Sequence, residues 1–391
     1  MPHIKAKPFL DSAIDELIKK EEFCKFRAIP KRGAIELLGV EYKGNSFLLE
    51  IKKAKDSTII RADKVSRPLN VEIIKEVLKK IAKEANLTII NSNLNQKLAK
   101  ANLANRFEKQ IEDFEGINFS DKRVALEVGF GSGRHLLYRA KNNPNTLFIG
   151  VEIHTPSIRQ LLRQIELNSL ENIWVVNYDA RLLLEMLPSN SLEKIFIHFP
   201  VPWDKKPHRR VISDSFLNEA IRVLAPDGEL ELRTDSDNYY KYSLEVFSRP
   251  KRVSFKVEKN RDLEVISKYE ARWRQMGKDI YTLTLISQEK SEDKNLIGDF
   301  KFNIDIDESK VSNLPKEAIV KDDYFIHFGK EYRFSDSSGG IIECSFGSFE
   351  RPEHKYLIYK DNTSLYYYPQ RPVATSSNLK AHKAIEELLN V

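Results

Sequence analysis

Sulfur is scarce in this 391-residue chain, which has two cysteines, Cys24 and Cys344, and three methionines. Cysteines so few and so far apart match neither a disulfide framework nor a zinc pattern, and that points to a reduced cytoplasm. Long apolar runs are missing too. No stretch approaches the ~18–20 residues of a membrane span, and the opening MPHIKAKPFLDSAIDELIKK lacks an apolar signal core. A soluble, cytoplasmic protein with no membrane partner is expected. Internal repeats and low-complexity tracts are absent, which excludes solenoids and low-complexity tails.

What is present is ordinary globular composition, with 41% hydrophobic and 31% charged residues, and a length suited to two or three domains. The net charge of +6 is uneven: residues 1–120 carry +6, residues 121–290 +4 and residues 291–391 −4. A polyanionic partner would meet the first two thirds more readily. Solvated surface explains so modest a bias equally well.

Pattern divides the chain at about 115 and 290. In residues 1–115, Val40 and Tyr42, then Phe47, Leu49 and Ile51, alternate around Lys43-Gly44-Asn45-Ser46 and suggest a hairpin. Asn70 suits the N-cap of a helix carrying Ile73, Ile74, Val77, Leu78 and Ile81, and 93–115 reads as a polar helical connection. This is a small, basic α/β accessory domain. Within 116–290, short apolar strands at 124–128, 147–152, 173–177, 194–199 and 229–234 alternate with helices. That rhythm implies βαβ units and a doubly wound, mostly parallel sheet. Residues 291–391 form a strand-rich, acidic accessory domain with alternating Phe302, Ile304 and Ile306, four further strands and a closing helix at 378–389. Its seven tyrosines suit sheet packing better than base stacking.

Chemistry concentrates in the middle region. Glu127-Val128-Gly129-Phe130-Gly131-Ser132-Gly133 follows a strand and opens a helix, where glycines admit a tight turn and helix N–H groups face a ligand. The spacing is not the dinucleotide G-x-G-x-x-G, since Arg134 stands where the last glycine should be. A purely structural turn would use the same glycines. Glu152 ends the next strand, where a carboxylate can bind two ribose hydroxyls. Asp179 follows the third and could accept from an adenine amino group. Each acid alone would equally suit a solvated loop or a cap; three in register at strand ends are harder to obtain by chance. The arrangement resembles the S-adenosyl-L-methionine pocket of class I, Rossmann-like methyltransferases.

The fourth strand leads into His198-Phe199-Pro200-Val201-Pro202-Trp203-Asp204-Lys205-Lys206-Pro207-His208-Arg209-Arg210. Prolines stiffen this loop, and an aromatic followed by KKPHRR combines a stacking surface with phosphate-neutralising charge. A solvated basic loop remains the alternative. His198 and His208 have no ligand spacing with other His or Cys residues, so no metal is assigned.

This run resembles the F-F-P-D-P-W-x-K-x-x-H-x-K-R-R signature of bacterial tRNA (guanine-N7-)-methyltransferases. LEVGFGSGRHL, FIGVEIHTP, NSLEKIFIHF, ELELRTDSDNYY and Ser267-Lys268-Tyr269-Glu270-Ala271-Arg272 are similar to that family as well. The resemblance covers residues 121–287. It implies methyl transfer from S-adenosyl-L-methionine to the variable-loop guanine of tRNA. Glu127, Gly129, Gly131, Gly133, Glu152 and Asp179 would bind the cofactor. Lys205, Asp235, Ser267, Lys268, Tyr269 and Glu270 would contact tRNA or its guanine, with Lys206, Arg209 and Arg210 from the basic loop. The stretch departs from the signature at three places. Val201 replaces the aspartate given the active-site role, His198 replaces a Phe, and Asp204 stands where His is common. Asp204 is therefore the candidate replacement carboxylate. Two other readings stay open: a non-catalytic module that binds cofactor and RNA, and a methyltransferase of another substrate class.

Overall fold

The computed structural model describes residues 2–66, 71–95, 106–119, 122–266, 268–294, 298–304, 306, 308–349, 351–360 and 364–390. They form two compact units: Ala101–Leu296, and a second built from Met1–Lys100 together with Ile297–Val391.

In the unit Ala101–Leu296 the strands read as near-continuous apolar runs (VALEV, TLFIGV, IWVV), because helices cover both sheet faces. Across the sheet the order is Val253–Lys259, Tyr281–Ser287, Leu224–Thr234, Leu192–His198, Arg123–Val128, Thr146–Val151, Ile173–Val176 and Glu108–Lys109. Neighbours are parallel except where Tyr281–Ser287 runs against both of its own. The chain winds outward from Arg123–Val128 to Ile173–Val176, then returns to place Leu192–His198 on the other side of Arg123–Val128. Winding reverses between these two strands. Their carboxyl ends, Val128 and His198, therefore flank the crevice in which doubly wound sheets bind ligands.

On one face Leu136 and Ala140 of the helix Arg134–Asn142, with Ile158, Leu161, Leu162 and Ile165 of Thr155–Leu167, bury Ala125, Phe148, Phe196 and Val175. Pro156 sits in the first turn of the second helix, where its missing N–H costs nothing. Side chains of Asp179, Ser213 and Ser236 cap the helices Ala180–Met186, Asp214–Val223 and Asp237–Phe247.

The second unit holds one antiparallel sheet. It runs Ser364–Tyr368, Glu353–Lys360, Gly339–Gly347, Phe325–Phe334, Cys24–Pro30, Ile35–Tyr42, Asn45–Ala54, Ser57–Ala62, His3–Ala6 and Ile89–Ser92, with Ile319–Val320 beside Phe325–Phe334. The anticipated hairpin is a two-residue turn in which Lys43 and Gly44 both take positive φ, +49° and +73°, and Tyr42 pairs with Asn45. The sequence separates the flanks as two domains, whereas here Phe334 pairs with Ala28 and Tyr332 with Pro30, making one sheet of both. Tyr332, Phe334, Ile341, Tyr356 and Ile358 share a core with Ala28, Leu37 and Leu48. The buried tyrosines of the C-terminal segment, Tyr332, Tyr356, Tyr359, Tyr367 and Tyr368, serve packing.

Two local expectations change. The connection at 93–115 is no α-helix over its described end: Glu108–Lys109 is a strand and Ile111–Phe114 a 3₁₀ turn, because Phe107, Ile111 and Phe114 must all face the core. Phe302 and Ile304 lie outside any strand, with Ile304 and Ile306 turned inward. Asn70 is outside the described residues. Among the described residues no helix is long and apolar enough to cross a membrane.

Candidate active site

Val128 delivers the chain into a turn in which Gly129, Gly131 and Gly133 all have positive φ, +69°, +52° and +70°. The three differ in surroundings. A Cβ on Gly133, the N-cap of Arg134–Asn142, would come within 2.6 Å of Leu161 Cδ1, so the packed Leu161 would have to shift, and the positive φ adds its own preference for glycine. A Cβ on Gly129 would meet nothing within 4 Å, and on Gly131 only the Gly129 carbonyl at 4.0 Å. These two leave bare backbone facing open space.

The register Glu127–Gly150 and Val151–Val176 sets Glu127, Glu152 and Asp179 at the ends of three adjacent strands. Glu152 ties the turn down: Oε2 accepts from Gly131 N at 3.1 Å, and Oε1 accepts from Ile153 N at 2.9 Å and His154 N at 3.0 Å. Asp179 caps its helix by accepting from Arg181 N at 2.9 Å and takes the Arg181 guanidinium at 3.0–3.1 Å. Glu127 is buried beneath the turn, with Oε2 2.9 Å from His135 Nδ1.

His135 belongs to a polar chain that no single one of the motifs above contains. Its ring lies 4.5 Å from that of His198, whose Nε2 is 2.9 Å from Glu231 Oε1. Lys194 and Arg261 approach the other Glu231 oxygen at 3.6 and 3.3 Å. Burial pushes His198 below its ordinary pKa, against the pull of Glu231. Burial alone would raise the Glu231 carboxyl, but His198, Lys194 and Arg261 prevail and hold it well below the carboxylate range. The available signal was the alternation Glu229-Leu230-Glu231-Leu232-Arg233, a strand with one polar face.

Past His198 the loop turns through positive φ at Phe199 and Trp203, and Val201 is 59% exposed. Lys205, Lys206 and Arg209 are exposed, and the Arg209 guanidinium lies 5.2 Å from the Trp203 ring centre. Arg210 points the other way. It is buried, gives Nε–H to the Pro202 carbonyl at 2.8 Å, meets Asp204 Oδ1 at 3.4 Å and stacks on Tyr242 at 4.5 Å. Such an inward guanidinium anchors the loop and is not placed to meet a phosphate. Asp204, half exposed, shares that anchor.

On the neighbouring strand Arg233 pairs in register with His198, so Asp235 lies two residues beyond, one strand from the crevice. Its carboxylate accepts from Lys278 Nζ at 2.7 Å. Glu270 is buried: its Oε1 accepts from the buried Arg233 at 2.6 Å and from Arg274 at 2.9 and 3.0 Å. As placed, it braces the helix Lys268–Gln275 against the sheet. Ser267 lies outside the described residues, and Lys268 and Tyr269 are described in backbone alone, at the start of that helix.

A bare glycine turn and an acid at each of three adjacent strand ends stand at the switch point of a doubly wound sheet, and residues 121–283 match the family model of a putative methyltransferase. Whole-chain relatives narrow this. The chain is 40% identical over 395 residues to the tRNA (guanine-N(7)-)-methyltransferase of Wolinella succinogenes, covering 100% of both chains. It is 38% identical to that of Helicobacter pylori strain J99, across 100% of this chain and 97% of the relative. The Campylobacter fetus enzyme of that name is 37% identical over 92% of each. This chain belongs to the tRNA (guanine-N(7)-)-methyltransferase family.

Proposed function

We propose that the protein transfers a methyl group from S-adenosyl-L-methionine to N7 of the variable-loop guanine of tRNA. The observation that carries this is the bare backbone at Gly129 and Gly131, roped to Glu152 at the switch point of the sheet. That cradle suits the cofactor: Glu152 keeps lone pairs for the ribose hydroxyls, Asp179 for the adenine amino group, and Glu127 closes the floor under the amino-acid end. When bound, S-adenosyl-L-methionine supplies a methyl group on a sulfonium.

The protein's own residues have a positioning task. Guanine N7 already carries a free lone pair, so no side chain must remove a proton from the nucleophile. Orientation alone can be worth ~7–11 kcal/mol. Exposed Lys205, Lys206 and Arg209 would hold phosphates beside the crevice, and Asp235 would accept from guanine N1–H and its amino group. Asp204 is the carboxylate nearest in sequence to the place that Val201 leaves without one.

Nucleoside mass spectrometry on unmodified tRNA incubated with enzyme and cofactor tests the proposal. 7-Methylguanosine at the variable loop is expected; its absence overturns the enzymatic reading. Val201 favours a second reading, a module that binds without turnover. Under single-turnover conditions, an inert wild type rescued by Val201→Asp would establish it. An active wild type unaffected by Asp204→Ala would remove the role proposed for Asp204.

A further inference from the structure

One lysine joins an aromatic face to a carboxylate just past the strand Leu224–Thr234, one strand from the crevice. Lys278 Nζ lies 3.8 Å from the centre of the Trp273 ring and 2.7 Å from Asp235 Oδ2. The Lys278 N–H also donates to the Trp273 carbonyl at 3.1 Å, in the turn that ends the helix Lys268–Gln275. A second cation, the Arg272 guanidinium, stands 5.6 Å from the same ring. The strand ending in Thr234 supplies Asp235, and the turn supplies the indole and the ammonium.

We infer that Trp273 is the stacking face for the guanine whose edge Asp235 takes, with Lys278 as a displaceable placeholder between the two. The inference rests on the tRNA-methylating reading above. A guanine presents two things to such a pair: a flat face that stacks on an indole, and adjacent N1–H and amino donors that match one carboxylate. The Lys278 ammonium satisfies the same two receptors, as a cation on the ring and an ion pair to the acid. The ion pair is part-exposed, 39% at the Lys278 side chain and 20% at that of Asp235, and a pair so near solvent is weak and readily exchanged, which a placeholder requires.

The pair also suits the chemistry. Transfer would form the N7–CH3 bond from the guanine lone pair as the sulfonium S–CH3 bond breaks and leaves its electron pair on a neutral thioether, with no proton lost, so the positive charge passes to the base. An indole face already holding an ammonium favours that developing charge over the neutral ground state. Trp273 therefore acts on the rate of the step as well as on binding. No aspartate at position 201 is needed for this.

Two measurements on the full-length protein decide the matter. In the first, tryptophan fluorescence is followed as GMP or 7-methyl-GMP is added without cofactor. The 7-methyl nucleotide should quench at a concentration at least about threefold lower, and Trp273→Leu should abolish the difference. In the second, single-turnover methylation of unmodified tRNA should slow about tenfold or more in Trp273→Leu but remain within about threefold of wild type in Trp273→Phe, which keeps an aromatic face. Lys278→Met should lower the half-saturating tRNA concentration. Equal quenching by the two nucleotides, an unslowed Trp273→Leu, or a Lys278→Met variant as slow as Trp273→Leu would overturn the subsite. A wild type that forms no 7-methylguanosine overturns the functional reading, and the nucleotide titration still judges the subsite.

Discussion

His198 shows how one residue acquires properties from its neighbours. Alone it is an imidazole titrating near 6.5, but here it is buried between His135 and Glu231, and its affinity for a proton falls. As pH drops through 6.5, the unfolded chain takes up a proton that the folded chain resists. Stability present above that pH is therefore lost below it. Glu231, held well below its ordinary 4.5, adds a contribution that persists above 4.5 and fades at still lower pH. The variant His198→Phe should therefore lose less Tm than wild type between about pH 7 and about pH 5.5. Thermal denaturation of both at the two pH values checks this; equal losses would show that another group titrates.

Arg209 and Arg210 make the same point as neighbours with opposite roles. The first is exposed over Trp203, and the second is buried against Pro202 and Tyr242. Arg210→Ala should cost about 1.5–3 kcal/mol of stability, the range for a hydrogen bond made by a charged group. Its urea midpoint should fall, while that of Arg209→Ala stays near wild type. Adjacent arginines carry no mark in the sequence of which one turns inward.

At the scale of elements, helices and parallel strands of the middle region are legible because hydrophobic period and punctuation agree. The strands expected at 124–128, 147–152 and 173–177 are Arg123–Val128, Thr146–Val151 and Ile173–Val176. The glycine turn is equally visible, but which glycine serves packing and which faces a ligand is not. Gly133→Ala forces a methyl into Leu161 at positive φ and should cost about 2–4 kcal/mol. Gly129→Ala has room, so beyond the backbone cost its effect should fall on cofactor affinity. Paired urea melts and cofactor calorimetry would separate the two; a Gly133→Ala protein as stable as Gly129→Ala would refute the packing role. In the loop after His198, Lys205, Lys206 and Arg209 together should contribute to the salt dependence of tRNA binding. Replacing all three with Ala should flatten the log–log slope by about 0.7–0.9 for each phosphate no longer neutralised. An unchanged slope would make the loop merely solvated.

For the whole molecule, the decisive pairing joins the two ends of the chain. Phe325–Phe334 lies beside Cys24–Pro30, and the Tyr368 hydroxyl donates toward the carbonyls of Val40 at 3.2 Å and Phe47 at 3.0 Å. A chain ended near residue 296 keeps the unit Ala101–Leu296 entire but leaves Cys24–Pro30 as an unpaired edge above a half-emptied core. Such an edge invites association. That truncation should elute as aggregates and bind an apolar dye; a monodisperse, dye-silent product would show that the N-terminal strands stand alone.

By itself the sequence determined the doubly wound unit, the glycine turn and the acids Glu127, Glu152 and Asp179. These depend on local period and on strand ends separated by short crossovers, which a linear reading can follow. Tertiary structure alone decided that residues near 28 and 334 share a sheet, that Glu270 braces Arg233, and that Trp273, Lys278 and Asp235 meet. Each of those joins positions far apart in the chain or turns one of two chemically equal neighbours inward. A side chain's direction follows from the register and packing of the elements around it, and no single segment of sequence contains that register.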